Sequence, residues 1–173
     1  MISGSEDKTI KVSDIVTRQH EATLDAHTDR VLALAVSRPT LLSTGDDLTI
    51  RVWELGTWSH LKVVRVSEHV PDAFQFFCLA VSGSILLCGG KCCESDDESD
   101  DESDDGSDHE SGFVVVLDTD TLTCQHTLRL DMAVNRLLSV RGEVWGRLGY
   151  NMAVVWGKAE RGDGSGMSEA GRA

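Results

Sequence analysis

A repeat of forty residues is the feature that most constrains what this chain can fold into. Residues 2–13, ISGSEDKTIKVS, align without a gap with residues 42–53, LSTGDDLTIRVW. The two copies share a serine, a turn aspartate and a Thr-Ile pair: Ser3 and Ser43, Asp7 and Asp47, Thr9-Ile10 and Thr49-Ile50. In the second copy an apolar segment, a Gly-Asp-Asp turn and a β-branched segment follow in order, which predicts two strands joined by a tight turn. The chain is therefore expected to consist of repeated sheet units.

The second copy belongs to the most complete unit of the chain. A histidine precedes its tryptophan by 26 residues, and the turn aspartate lies between them. This order resembles one blade of a WD-repeat β-propeller. The resemblance implies a hydrogen-bonded set in which imidazole contacts both carboxylate and hydroxyl, and the hydroxyl accepts from the indole N–H. Its members are His27, Ser43, Asp47 and Trp53. We interpret the set as structural, because no nucleophile elbow or oxyanion site accompanies the serine, histidine and aspartate.

Segments with strand character continue through the chain in the same order. We expect strands at 20–24 in the first unit, at 31–36, 41–43, 49–53 and 61–66 in the second, at 76–81, 85–89, 113–118 and 125–130 in the third, and at 134–140, from 144, and at 152–156 in the fourth. The predicted fold is all-β: an incomplete β-propeller of antiparallel four-stranded WD-repeat blades, two whole and two partial. Because propeller rings close with ~4 to 8 blades, we expect residues 1–157 to be a fragment of a larger propeller. The Gly- and Ser-rich residues 158–173 are expected to form a disordered tail.

An acidic insert interrupts the third unit at residues 91–112. Eleven Asp and Glu residues and no Lys or Arg lie between Glu94 and Glu110, so this segment carries most of the net charge of −13. Its repeated Glu-Ser-Asp-Asp pattern has no apolar surface to bury, and its charges repel one another, which predicts disorder. In the WD-repeat family the replaced turn lies on the same face as the turn of His27. The insert is therefore expected to project from a face that such propellers use for partners.

Three roles stay open for the insert. It is a solvated variable loop, a phosphorylation tract, or a binding arm for a basic partner such as a histone tail or a ribosomal protein. The phosphorylation hypothesis depends on Ser95, Ser99 and Ser107, each of which has an acid three residues later. This spacing resembles the pattern preferred by acidophilic casein-kinase-II-type enzymes, and added phosphate would deepen the negative charge.

Metal binding is not expected from the sequence. Asp101 and Asp105 begin like a calcium loop, but Gly112 stands where the closing glutamate should be. The adjacent pair Cys92-Cys93 lacks the two-residue spacing of zinc ligands, and a second pair is missing.

The remaining features predict the compartment. Five cysteines are an odd number without framework spacing, which indicates reduced thiols in a cytoplasmic or nuclear protein. The N-terminus lacks the charged-then-apolar order of a signal peptide, and no run approaches the ~18 apolar residues of a membrane span. No basic stripe is visible, so neither direct nucleic-acid binding nor membrane binding is expected.

The resemblance implies a non-catalytic scaffold for protein–protein interactions that needs no cofactor. Because binding residues on propellers lie in loops held by a rigid frame, the expected contact residues are Asp29, Arg30, Asp46 and Lys91. Two alternatives stay open. The chain is the WD-repeat portion of a multidomain enzyme or of a ubiquitin-ligase substrate adaptor, or it is a purely structural subunit of a large assembly.

Overall fold

The structure is a computed structural model that describes residues 1–92, 111–140 and 143–148, together with the backbone of residues 152–156. These ranges contain fourteen strands and a single 3-10 turn at Val66–Glu68. No helix in the described part of the chain is long and apolar enough to cross a membrane. The strands pair antiparallel in four sheets.

The first two sheets come from the N-terminal part of the chain. The first sheet has three strands in the order β1 (Ile2–Gly4), β2 (Thr9–Ser13) and β3 (His20–Asp25). The second sheet has four strands in the order β4 (Val31–Ser37), β5 (Thr40–Gly45), β6 (Thr49–Glu54) and β7 (His60–Arg65). Each strand pairs with the next one in the chain, as short connections between antiparallel strands require.

The third and fourth sheets repeat this arrangement. The third sheet has the order β8 (Ala73–Ser82), β9 (Ile85–Cys92), β10 (Gly112–Asp118) and β11 (Cys124–Leu130). The fourth sheet has the order β12 (Val134–Val140), β13 (Glu143–Leu148) and β14 (Met152–Trp156). Two four-stranded sheets thus stand between two three-stranded ones.

Consecutive sheets share apolar cores because strand side chains alternate between the two faces. In β5, Leu41 packs toward the first sheet and its neighbour Leu42 packs toward the third. In β9, Leu86 likewise packs toward the second sheet and Leu87 toward the fourth. No apolar cluster among the described residues joins the first sheet to the fourth. This architecture confirms the prediction of an all-β, incomplete propeller with two whole and two partial blades.

The third sheet differs from the prediction at the borders of the acidic insert. Lys91 and Gly112 were expected to lie in the insert, yet they pair with each other across β9 and β10. The Cys92 N–H donates to the Ser111 carbonyl oxygen at 3.0 Å. The hairpin is longer than expected because β8 begins at Ala73, which pairs with the end of β9. Residues 93–110 lie outside the described residues, as does the predicted tail at 158–173.

Candidate functional site

A buried polar network lies where the connection from β3 to β4 meets the turn between β5 and β6. The connection carries His27, β5 carries Ser43, the turn carries Asp47, and β6 carries Trp53. The turn is tight because Asp47 Oδ1 accepts from the N–H and the hydroxyl of Thr49, at 3.1 and 2.7 Å. An aspartate that bonds to the backbone two residues later in this way holds a turn without help from the rest of the fold.

The four residues form one chain of hydrogen bonds. The Trp53 indole N–H donates to Ser43 Oγ at 2.9 Å, and Ser43 Oγ lies 2.8 Å from His27 Nε2. On the other side of the ring, His27 Nδ1 lies 2.9 Å from Asp47 Oδ2. A neutral imidazole with its proton on Nδ1 satisfies every contact, because it donates to the carboxylate and accepts from the hydroxyl.

The network is closed to solvent, which determines what it can do. His27 is 4% exposed and Trp53 is 3% exposed, while Ser43 is fully buried. Burial by itself raises the pKa of Asp47, but hydrogen bonds from His27 and Thr49 outweigh it and hold the pKa well below its usual value. A charged carboxylate that is satisfied on both oxygens fits a structural role, because a substrate in solution has no path to Ser43 Oγ.

The first sheet contains the same turn without the imidazole. Asp7 Oδ1 accepts from the Thr9 N–H at 3.1 Å, as Asp47 does from Thr49. Its Oδ2 accepts from Lys11 Nζ at 2.8 Å, and both side chains are about half exposed. The turn chemistry of the repeat is therefore independent of burial, whereas the imidazole adds a buried contact in the second sheet alone among these two.

The residues predicted to contact partners lie above this network on one end of the sheets. We call this end the turn face, and it comprises Asp29, Arg30, Asp46, Gln75 and Lys91. Arg30 donates from Nε to Asp46 Oδ2 at 2.8 Å, and Gln75 donates to Asp46 Oδ1 at 3.0 Å. Gln75 pairs in register with Lys91, so the second and third sheets are linked here. The predicted phosphorylation sites Ser95, Ser99 and Ser107 lie outside the described residues.

The sequence did not reveal how the third sheet replaces the polar network. Phe76 and Phe113 are fully buried and meet edge to face, with ring centroids 5.6 Å apart. Both pair in register with Gly90, where an added Cβ would lie 2.8 Å from the Phe113 ring and 2.1 Å from the Gln75 carbonyl oxygen. The glycine makes room for the aromatic pair. The available signal was the Phe-Phe sequence of β8, but its partner across the sheet follows only from the register.

Cysteine chemistry and metal binding find little support in the described residues. Burial raises the pKa of the Cys78 thiol to about 12 and raises that of Cys88 as well, which makes both thiols inert. Cys92 is also buried and accepts a contact from Arg129 Nη1 at 3.0 Å, while that guanidinium forms an ion pair with Asp72. Within the described ranges no three His, Cys, Asp or Glu side chains are grouped to hold a metal ion.

Three comparisons relate the chain to known proteins. Residues 18–54 match the family model described as WD domain, G-beta repeat. The chain is 30% identical over 97 residues to THO complex subunit 6 from Homo sapiens, covering 52% of this chain and 28% of that protein. It is 33% identical over 89 residues to pre-mRNA-processing factor 19 from Mus musculus, covering 50% of this chain and 17% of that protein. The matches thus span less than a third of either relative.

A solved structure reproduces the fold over most of the chain. The crystal structure of the computationally designed Ika4 protein superposes with a TM-score of 0.64, covering 91% of this chain and 84% of that one. The sequence identity is 23%, so this likeness concerns the arrangement of strands alone. Together with the repeat match, it agrees with the four consecutive blades described above.

Proposed function

We propose, from the premise that this chain belongs to the WD-repeat family, that it is a non-catalytic scaffold that binds other proteins through its turn face. The observation that carries this proposal is the rigid support beneath exposed loop residues. Asp29 and Arg30 are exposed, and they follow directly on the buried His27. Loop residues on a fixed frame lose little conformational freedom when they bind, which favours recognition.

The charges of the turn face favour a partner with both signs of charge. The Arg30 side chain is 49% exposed, although it is paired with Asp46, which is 12% exposed. An exposed guanidinium that is already held in place can still donate from its remaining N–H groups to a carboxylate of a partner. The acidic insert leaves the third sheet beyond Cys92, at the same end. We propose that it recruits or tunes a basic partner segment.

The names of the relatives support a role in an assembly. One relative is a subunit of a THO complex and the other is a pre-mRNA-processing factor. Pre-mRNA processing is a nuclear process, so this likeness favours the nucleus of the two compartments that the sequence allows. By the same argument, we propose that the chain works as one component of a multiprotein complex.

The test compares charge reversals on and off the turn face in the full chain. We expect Arg30→Glu to abolish co-purification of specific proteins that both the unchanged chain and Arg65→Glu retain. Arg65 is a matched control, because it is an exposed arginine at the end of β7, away from the turn face. Identical sets of co-purified proteins for all three chains would contradict the proposal.

Salt separates the two kinds of scaffold. Binding through the acidic insert is expected to fall between low and physiological ionic strength, because exposed charges are screened over ~8–10 Å. Association that survives high salt and also survives removal of residues 93–110 would instead favour a structural subunit held by apolar contacts.

A further inference from the structure

The outward face of the fourth sheet is apolar at its centre. On the inward face, Leu137 and Val144 are buried against the third sheet. On the opposite face, Leu138 is 52% exposed, Val140 is 42% exposed and Trp145 is 43% exposed. Leu138 and Trp145 are cross-strand neighbours in register, so these side chains form one patch rather than scattered contacts. Contiguous exposed apolar side chains on one sheet face mark an interaction surface.

We propose that a second copy of this chain docks on this face, so that the protein forms a two-fold symmetric dimer. We call the surface the fourth-sheet outer face, and it comprises Arg136, Leu138, Val140, Glu143 and Trp145. A symmetric dimer places the same patch on both copies, and an apolar patch is complementary to itself. The proposal is independent of the proposed function, because the turn face is formed by the second and third sheets.

The charges on this face are arranged so that a second copy fits. Arg136 pairs in register with Arg147 at one end of the patch, and Val140 pairs with Glu143 at the other end. If the two-fold axis lies between the packed sheets and across the strands, the arginine end of one copy meets the glutamate end of the other. Opposite charges then flank the apolar centre on both sides, which sets the orientation of the two copies.

The first sheet does not offer an equally suitable surface for the patch. Its outward face carries Ser3, Lys11 and Thr23, which are exposed and aligned in register across β1, β2 and β3. Lys11 also forms an ion pair with Asp7 there. A head-to-tail arrangement would place these polar groups against Leu138 and Trp145 and would cost their hydration without replacing it. The symmetric arrangement buries apolar groups on apolar groups.

The first experiment measures the dimer and its centre. Analytical ultracentrifugation of the full chain over a dilution series should show a reversible monomer–dimer equilibrium. We expect Trp145→Ala to raise the dissociation constant at least about thirtyfold, because each dimer contains this residue twice and aromatic residues dominate interface energies. Leu61→Ala is the matched control, since Leu61 is 54% exposed on β7 and should leave the equilibrium unchanged. A monomer at every concentration would overturn the proposal.

The second experiment tests the orientation without removing any apolar contact. Arg136→Glu places like charges opposite one another twice in the dimer, and Glu143→Arg does the same with the opposite sign. Each variant alone should dimerise about tenfold more weakly, since exposed like charges in contact are unfavourable. An equimolar mixture of the two variants should restore dimerisation, because every facing pair is then of opposite sign.

The mixture also separates the proposal from other occupants of the face. Dimerisation of both variants at the strength of the unchanged chain would mean that the copies meet elsewhere. Weakening without recovery in the mixture would show that Arg136 and Glu143 do not face one another, which would overturn the symmetric arrangement. Because both residues are on the surface, circular dichroism should show unchanged strand content in both variants, so loss of folding cannot imitate either result.

Discussion

Substitution of Asp47 tests how much the buried network contributes to stability. Its carboxylate accepts from His27 Nδ1 at 2.9 Å, from the Thr28 N–H at 3.0 Å, and from Thr49 through two bonds. In Asp47→Ala the Thr28 N–H regains water because it is exposed, whereas His27 is 4% exposed and is left with an unsatisfied donor. An unsatisfied buried donor costs about 1–3 kcal/mol, so we expect a loss of about 2–3 kcal/mol once the weakened turn is included.

The first sheet supplies the matched control. Asp7→Ala removes the equivalent turn bonds to Thr9 but strands no imidazole, since Lys11 is its other partner and is half exposed. We expect a much smaller loss, so the difference between the two variants isolates the contribution of the buried His27 contact. Urea unfolding followed by intrinsic Trp fluorescence measures both losses. Equal losses, or an unchanged midpoint for Asp47→Ala, would refute the reasoning.

Three further predictions concern pH, thiols and the insert. The folded pKa of Asp47 lies below the unfolded value, so its stabilisation is complete above about pH 5 and declines toward about pH 2; Asp47→Asn should show a shallower decline in unfolding free energy across that range, and an identical decline would contradict this. Alkylation without reductant should label five thiols in denaturant but spare Cys78 and Cys88 in the native chain, and a mass deficit of one disulfide would be the opposite result. Replacing residues 93–110 with an Asp-Gly turn should leave the thermal midpoint equal or slightly higher, because loop closure depends weakly on length and crowded carboxylates repel; loss of folding would show that the insert is structural.

The order of the strands could be predicted because each one combines alternation with turn chemistry. The segment around Asp47 and its earlier copy around Asp7 gave both the repeat length and the position of the turns. The strand ends were less accessible, as β8 and β9 show. Lys91 and Cys92 adjoin an acidic tract and carry no strand signal, and they pair only because β8 is long enough to reach them.

Contacts between sheets could not be predicted from the sequence. Lys8 donates to the Thr28 carbonyl oxygen at 2.8 Å, and Lys62 donates to that of Thr121 at 2.8 Å. A surface lysine carries no local signal for a carbonyl group twenty or more residues away, because the contact depends on how neighbouring sheets are stacked. The face carrying Leu138 and Trp145 was hidden for the same reason, since alternation alone does not tell which side of a sheet has a neighbour.

The aromatic pair explains why the acidic insert lies in the third sheet and not in the second. In the second sheet, an insertion between Gly45 and Thr49 would displace Asp47 and leave the buried His27 without its acceptor. In the third sheet, Phe76 and Phe113 fix the strands below the hairpin end through apolar contact. No buried polar group there depends on the sequence of the turn, so the turn can lengthen without stranding a donor. The chain thus carries its long charged segment at the blade whose joint is independent of turn chemistry.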